Sequence, residues 1–221
     1  MTQLQIDIVS DVACPWCAIG YKRLEQAMEA LAGEFSFTGT WYPFQLNPDQ
    51  SAEGEPILDS LCRKYGKSAG EIERTQDEII AIAQGLGLNF TRARERRAHN
   101  TFDAHRLIAW ARGQNKATEL NMALFDVYFG HALNPSDPEV LRQAAEAAGL
   151  DGETASEVIA SDAHADEVRS EEAFYKQAGV TGVPAFIING SHLVSGAQEP
   201  ETLIQAFRQI SREQQTDAAK A

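Results

Sequence analysis

Apolar side chains open the chain in near alternation at Leu4, Ile6, Ile8 and Val9, and the spacing then lengthens to Ile19, Leu24, Met28 and Leu31. The first pattern predicts a buried strand and the second a helix with one apolar face, which Gly33 is placed to end. Phe35, Phe37 and Trp41 resume period two and predict a second strand over 35–42. Pro43, Pro48 and the polar stretch 49–55 lead the chain out of the sheet. From Ile57 to about Gln177 the intervals are helical, broken at Gly66, Gly85 with Gly87, Gly113, Asn134-Pro135, Gly149 and Gly152, which predicts roughly six helices and no strand. Strand character returns at 184–188, turns at Asn189-Gly190, the strongest short hairpin signal a sequence offers, and continues over 192–195. A last helix begins near Pro200 and buries Leu203, Ile204, Phe207 and Ile210.

Strand, helix, strand, helical insertion, hairpin, helix is an α/β layout, and it predicts a thioredoxin fold with an inserted all-helical domain. Residues 1–50 and 178–214 are expected to form the thioredoxin-like domain and 51–177 the insertion, whose last helix is free to pack back on it. Residues 215–221 read as a frayed tail.

The chemistry gathers at the first strand–helix junction, Cys14-Pro15-Trp16-Cys17. Pro15 suits the first helical position, where a missing N–H costs nothing. Cys14 is then left at the helix N-terminus, where free N–H groups and the positive dipole end favour a thiolate. Cys17, one turn on, is close enough to form a disulfide with Cys14 and lies deeper, so the expected roles are exposed nucleophile and shielded resolver. Other uses of the pair fit less well. A structural zinc site needs four ligands, but the remaining cysteine is Cys62, and His99 and His105 have the wrong spacing. Covalent haem attachment needs a histidine where Ala18 stands, and a structural disulfide across two residues would pin little chain.

Charge narrows the partners. With 19 Lys and Arg against 32 Asp and Glu, the net charge of −13 argues against nucleic acid or anionic membrane, both of which reward clustered cations. The first eleven residues show no secretory pattern, and no window approaches eighteen consecutive apolar residues, so a cytoplasmic protein is expected. In a reducing compartment a catalytic use of the cysteine pair is favoured over a structural one.

In a thioredoxin fold the proline that opens the strand facing the Cys-x-x-Cys turn is cis. Val183-Pro184 is therefore expected to be cis, with Pro184 part of the catalytic apparatus and the Val183 backbone pairing with an extended substrate. With Cys14-Pro15-Trp16-Cys17, Trp41-Tyr42-Pro43-Phe44-Gln45-Leu46-Asn47-Pro48, Asn100-Thr101-Phe102-Asp103-Ala104-His105-Arg106-Leu107, Gly182-Val183-Pro184 and Ser195-Gly196-Ala197-Gln198 in order, the chain resembles the FrnE-like branch of the DsbA-type thiol oxidoreductases. The resemblance covers about residues 4–210. It extends to the 2-hydroxychromene-2-carboxylate isomerases and kappa-class glutathione transferases, relatives that share the helical insertion and bind glutathione. In them the position of Cys14 is typically serine and the position of Cys17 is not a second cysteine, so two cysteines here favour redox chemistry.

Substrate contacts are expected from Pro15, Trp16 and Val183, and from Asn47, Asn100 and Gln198. Asn100 and His105 lie five apart, about 140° around a helix. Both cannot face one groove, and Asn100 is placed at the site with His105 in the packing. Gln198 could present its amide to an anion at the last helix start. Arg92, Arg94, Arg96 and Arg97 read as a solvated helix face, and Cys62 as a small buried hydrophobe. The function expected is thiol-disulfide exchange without metal or required cofactor, with glutathione admitted as a co-substrate and a homodimer left open. A glutathione-dependent isomerase or transferase and a non-redox peptide-binding holdase are the alternatives. DsbA has histidine where this chain has Trp16, which implies a milder oxidant. On the residues between the cysteines alone, an equilibrium potential nearer about −270 mV than about −120 mV is expected, and a value above about −150 mV would mean that another group supports the thiolate.

Overall fold

The computed structural model describes residues 2–51 and 53–218. The opening alternation forms β1 (Thr2–Ser10), with Leu4, Ile6, Ile8 and Val9 all buried. It leads into α1 (Pro15–Ala30) and then β2 (Phe35–Pro43). β1 and β2 pair in parallel from Thr2 opposite Phe35 to Ser10 opposite Pro43, so α1 is the crossover of a βαβ unit. β5 (Ala185–Ile188) runs antiparallel to β1, and β6 (His192–Ser195) closes the hairpin through Asn189-Gly190, giving the sheet order β2-β1-β5-β6. Both glycine and asparagine of that turn have positive φ, as a tight two-residue turn demands.

Between the two halves of the sheet lie α2 (Ile57–Tyr65), α3 (Ala69–Gly85), α4 (Phe102–Arg112), α5 (Ala117–Phe125), α6 (Pro138–Ala147), α7 (Gly152–Ala160) and α8 (Ala165–Gln177). A π-helical turn, Asp126–Gly130, extends α5. Three features depart from the periodicity reading. The last expected helix divides at Ser161–His164 into α7 and α8, because Arg106 donates to the Val158 and Ala163 carbonyls and to that of Ser161, which satisfies a helix end there. A two-residue ladder pairs β3 (Glu55–Pro56) with β4 (Arg97–Ala98), too short to show as alternation. The stretch from Asn89 to Thr101 is turn and ladder rather than helix, so the arginine run has no helical face to occupy.

α9 (Pro200–Ala218) packs beside α1. It continues past Gln214, where the sequence places a fraying tail, and residues 219–221 of that tail lie outside the described residues. No helix of the described residues is long and apolar enough to cross a membrane.

One sheet face carries Phe37 against Phe207 of α9, and Trp41 against Tyr21 of α1 and Phe125 of α5. The other face carries Tyr42 against Tyr175 of α8, with Val9, Phe44, Val180 and Ala185 around them. The first cluster runs without a break from β1 and α1 into α4, α5 and α6, so sheet and insertion share one core. Each large apolar side chain fully buried there contributes about 1.5–3 kcal/mol.

Gly20 of α1 is where this packing reaches the hairpin. A Cβ added there would stand 2.9 Å from Cγ of Pro184 and 3.3 Å from Cβ of Ala197. Replacing glycine in a helix normally gains about 1 kcal/mol, whereas overpacking against a rigid ring costs about 1–3 kcal/mol. Gly20→Ala should therefore lower stability in urea unfolding, and a gain near 1 kcal/mol would show that Pro184 moves aside freely.

Candidate active site

The loop that ends β1 sets the site. Asp11, only 1% exposed, accepts the Ala13 N–H on Oδ1 at 3.1 Å and the Leu46 N–H on Oδ2 at 2.8 Å, while its carbonyl accepts the Cys14 N–H at 3.0 Å. The carboxylate thus ties the β1–α1 loop to the chain leaving β2. Cys14 is the N-cap of α1 in extended conformation, and Pro15 takes the first helical position. No side chain caps the helix, which leaves its first N–H groups facing the cysteine turn.

Both thiols are free in this structure, and both are buried, Cys14 at 5% and Cys17 at 1% exposed. The expected exposure of Cys14 belongs to Trp16 instead, whose ring is among the exposed large apolar groups. The reason is Val183, whose carbonyl accepts from the Cys14 Sγ at 3.6 Å across the cis Val183–Pro184 peptide bond. Burial pushes the Cys17 thiol well above the ordinary value, and nearby Cys14 adds to the rise, while Ser10 and the Asp11 backbone oppose it. The two sulfurs are therefore unequal through the burial of Cys17, as the order of the turn suggests.

A groove of about 370 Å³ opens at Cys14. Pro15, Trp16 and Val183 form one side with Leu46 and Asn47; Ile57, Leu61, Lys64 and Tyr65 of α2 and Ile72, Gln76 and Ile79 of α3 form the other, and Arg96 and Tyr128 also line it. Among the described residues its lining includes Lys64, Lys67 and Arg96 and no carboxylate, in a chain of net charge −13. A larger recess of about 510 Å³ on Tyr21, Met28 and Phe37 lies away from the cysteines and offers no thiol chemistry.

The structure sorts the remaining candidates. Asn47 lines the groove and accepts from Lys64 Nζ at 3.1 Å. Asn100 does not line it. It precedes α4, so the helical-wheel argument has no helix to act on, and its side chain donates to the Pro48 carbonyl at 2.7 Å and accepts the Phe102 N–H at 2.8 Å, as a turn former. His105 is the one beside the site loop, buried on α4 with Nε2 3.5 Å from Asp11 Oδ1. Gln198 is exposed and donates to the Ser195 carbonyl at 2.8 Å, within its own turn and off the groove. Cys62 is half-buried on α2 rather than buried. Arg92 pairs with Glu95 and Arg94 with Asp77 at the surface, and Arg97 donates to the Glu53 and Gly54 carbonyls, but Arg96 is buried at the groove. Arg96 and Tyr128 are the site residues that sequence reasoning missed. A basic run ahead of a helix start carries no mark of which member turns inward. Among the described residues, no group of three or more His, Cys, Asp and Glu is placed to hold a metal ion.

Comparisons with known proteins agree with this geometry. A family model described as DSBA-like thioredoxin domain matches residues 5–208. A probable DsbA oxidoreductase from Streptomyces coelicolor superposes with a TM-score of 0.85 at 35% identity, covering 93% of this chain and 89% of that one. The uncharacterized protein YwbO of Bacillus subtilis (strain 168) is 29% identical over 196 residues, 88% of this chain and 90% of its own. A 2-hydroxychromene-2-carboxylate isomerase shares the fold with a TM-score of 0.65 at 14% identity, covering 98% of this chain and 99% of that one. The thiol turn on its helix, the strand order around it and these matches together establish that the chain belongs to the DSBA-like thioredoxin domain family, a family of thiol-disulfide oxidoreductases.

Proposed function

We propose that this oxidoreductase works through Cys14 as nucleophile and Cys17 as resolving thiol. The observation that carries the reading is their unequal placement. Cys14 caps α1 at the groove, and Cys17 sits one turn deeper, where burial holds it as a thiol. In the reducing direction the Cys14 thiolate attacks a substrate disulfide, forming one S–S bond and releasing the first substrate thiolate. Cys17 then loses its proton and attacks the Cys14 sulfur, so the enzyme disulfide forms, the second substrate sulfur leaves, and two electrons have passed to the substrate. The reverse sequence oxidises a substrate dithiol. The electron pair moves directly between sulfurs, so no metal or cofactor is required.

An extended substrate lies along the backbone of Val183, whose carbonyl accepts from the Cys14 thiol, with Pro15, Trp16 and Asn47 beside it in the groove. Glutathione enters this proposal as a co-substrate that the groove lysines suit by charge, and the reaction is placed in the cytoplasm. Two thiols in the turn favour exchange over a transferase in which a single group would only position glutathione. A holdase role would leave the paired thiols, one at the groove and one a turn deeper, without a use.

The cysteine variants test the roles. Cys14→Ser should reduce exchange to the uncatalysed background, leaving a Cys17 that alkylates slowly at neutral pH because its proton is held above the ordinary thiol range. Cys17→Ser should keep a reactive Cys14 and accumulate mixed disulfides visible by intact mass. Equal alkylation of the two cysteines, with no trapped adduct, would exclude nucleophile and resolver roles, and a silent Cys17→Ser would favour the glutathione-dependent alternative.

A further inference from the structure

Arg96 carries a charge that no carboxylate answers. It is 5% exposed and lines the groove with Cys14. Nη1 donates to Gln76 Oε1 at 3.2 Å and to the Ala93 carbonyl, and the guanidinium carbon stands 5.2 Å from the centre of the Phe129 ring and 5.8 Å from that of Tyr128. Nε has no partner, and among the described residues no ion pair includes Arg96. Tyr128 does not supply the anion. Its hydroxyl donates to the Arg97 carbonyl at 2.8 Å, and burial pushes its acidity to about 12, so it is a neutral phenol at neutral pH. A buried guanidinium without a counter-ion is costly, and arginine does not escape the cost by losing its proton. The side chain is nevertheless held in place. Its own carbonyl accepts the Ile57 N–H at 3.2 Å, and the residues after it pair with Glu55–Pro56. The groove that Arg96 lines also holds Cys14, whose thiolate is an anion that thiol chemistry itself creates.

The geometry points to Arg96 as the counter-charge of the Cys14 thiolate, a positioning residue that makes the enzyme disulfide more oxidising than the residues between the cysteines alone would. This deepens the exchange reaction proposed above and rests on it. When a substrate dithiol reduces the enzyme, the Cys14–Cys17 bond breaks and a substrate disulfide forms. Two electrons pass to the enzyme sulfurs. Of the two thiol protons, one ends on Cys17 and one goes to solvent, so the negative charge stays on Cys14, on the groove that Arg96 lines. A cation waiting there favours the reduced enzyme over the disulfide and raises the potential.

The other groups around the pair do not replace Arg96. Lys64 is engaged by the Leu46 carbonyl and Asn47 Oδ1, and Lys67 stands beside Glu71. Cys17 lies beneath Cys14 as a thiol, and Asp11 and His105 face each other at the loop before it. Burial opposes the charge of Arg96, and Tyr128 and Cys14 are the groups that act in its favour.

The test compares reduced full-length wild type with Arg96→Gln and Arg96→Lys, using iodoacetamide, a neutral reagent that has no carboxylate to bind. Arg96→Gln should move the pH midpoint of Cys14 alkylation up by about one pH unit. The corresponding tenfold change in the exchange equilibrium lowers the potential by about 30 mV. Arg96→Lys should stay near wild type, which a purely structural role would not produce. An unchanged alkylation profile and potential in folded Arg96→Gln overturns the proposal, and does so equally if only KM for a carboxylate-bearing disulfide rises, since that gives Arg96 to the substrate. If Arg96→Gln does not fold, the wild type decides by nuclear magnetic resonance. The Arg96 Nε–H signal should shift with the alkylation midpoint and stop shifting in Cys14→Ser, and an unresponsive signal overturns the proposal. Absence of any disulfide turnover in wild type would instead refute the exchange reaction, while the alkylation profiles still report on the Arg96–Cys14 pair.

Discussion

The thiol site depends on one buried carboxylate. Asp11 closes β1 and accepts two backbone N–H groups from two separate segments, the cysteine loop at Ala13 and the chain leaving β2 at Leu46. A hydrogen bond to a buried acceptor is costly to lose, because the groups left behind have no water to turn to. Through Asp11 the start of α1, and with it the position of Cys14, is set by the central strand of the sheet rather than by the loop alone. A second buried acid performs the same service further on. Glu172 of α8 accepts the Gln45 N–H at 2.7 Å and the Gln45 side chain at 3.1 Å, so the groove side that carries Leu46 and Asn47 is tied to the insertion as well.

The periodicities of the sequence carried the sheet, the order of elements and the cysteine turn almost to the residue, because each rests on local signals: alternation in β1 and β2, Pro15 at a helix start, Asn189-Gly190 in a turn. Residues placed by long-range geometry were not legible. Asn100 is read onto a helix face that begins only at Phe102, and although His105 is buried in the packing as read, the Asp11 it packs against lies in the loop after β1. Arg96 looked like its neighbours in an arginine run, and only the β3–β4 ladder, with partners more than forty residues apart, turns it inward. Burial of Cys14 depends on Val183, far along the chain, and nothing within the turn announces it.

Charge is arranged against the composition. An excess of acidic residues covers the surface, and many are consumed in exposed pairs such as Glu139 with Arg142 and Glu34 with Arg208, which burial does not strengthen and which contribute little individually. Among the described residues the groove is lined by Lys64, Lys67 and Arg96 and by no carboxylate, so its lining is opposite in charge to the molecule as a whole.

The two sides of the groove also differ in stiffness. Leu46, Asn47 and the cysteine turn are fixed by buried carboxylates and by the continuous core. α2, facing them, buries only Ile57 and Ser60, and beyond α3 and a two-residue ladder it is held by exposed hydrogen bonds from Lys64 to the Leu46 carbonyl and to Asn47. Elements with so few buried contacts open at low free energy. The groove thus resembles a vice with one fixed jaw and one sprung jaw: in the exchange reaction proposed above, the Cys14 sulfur keeps its coordinates while the opposite side yields to the bulk of whatever is clamped, so breadth of substrate size is compatible with a single point of attack.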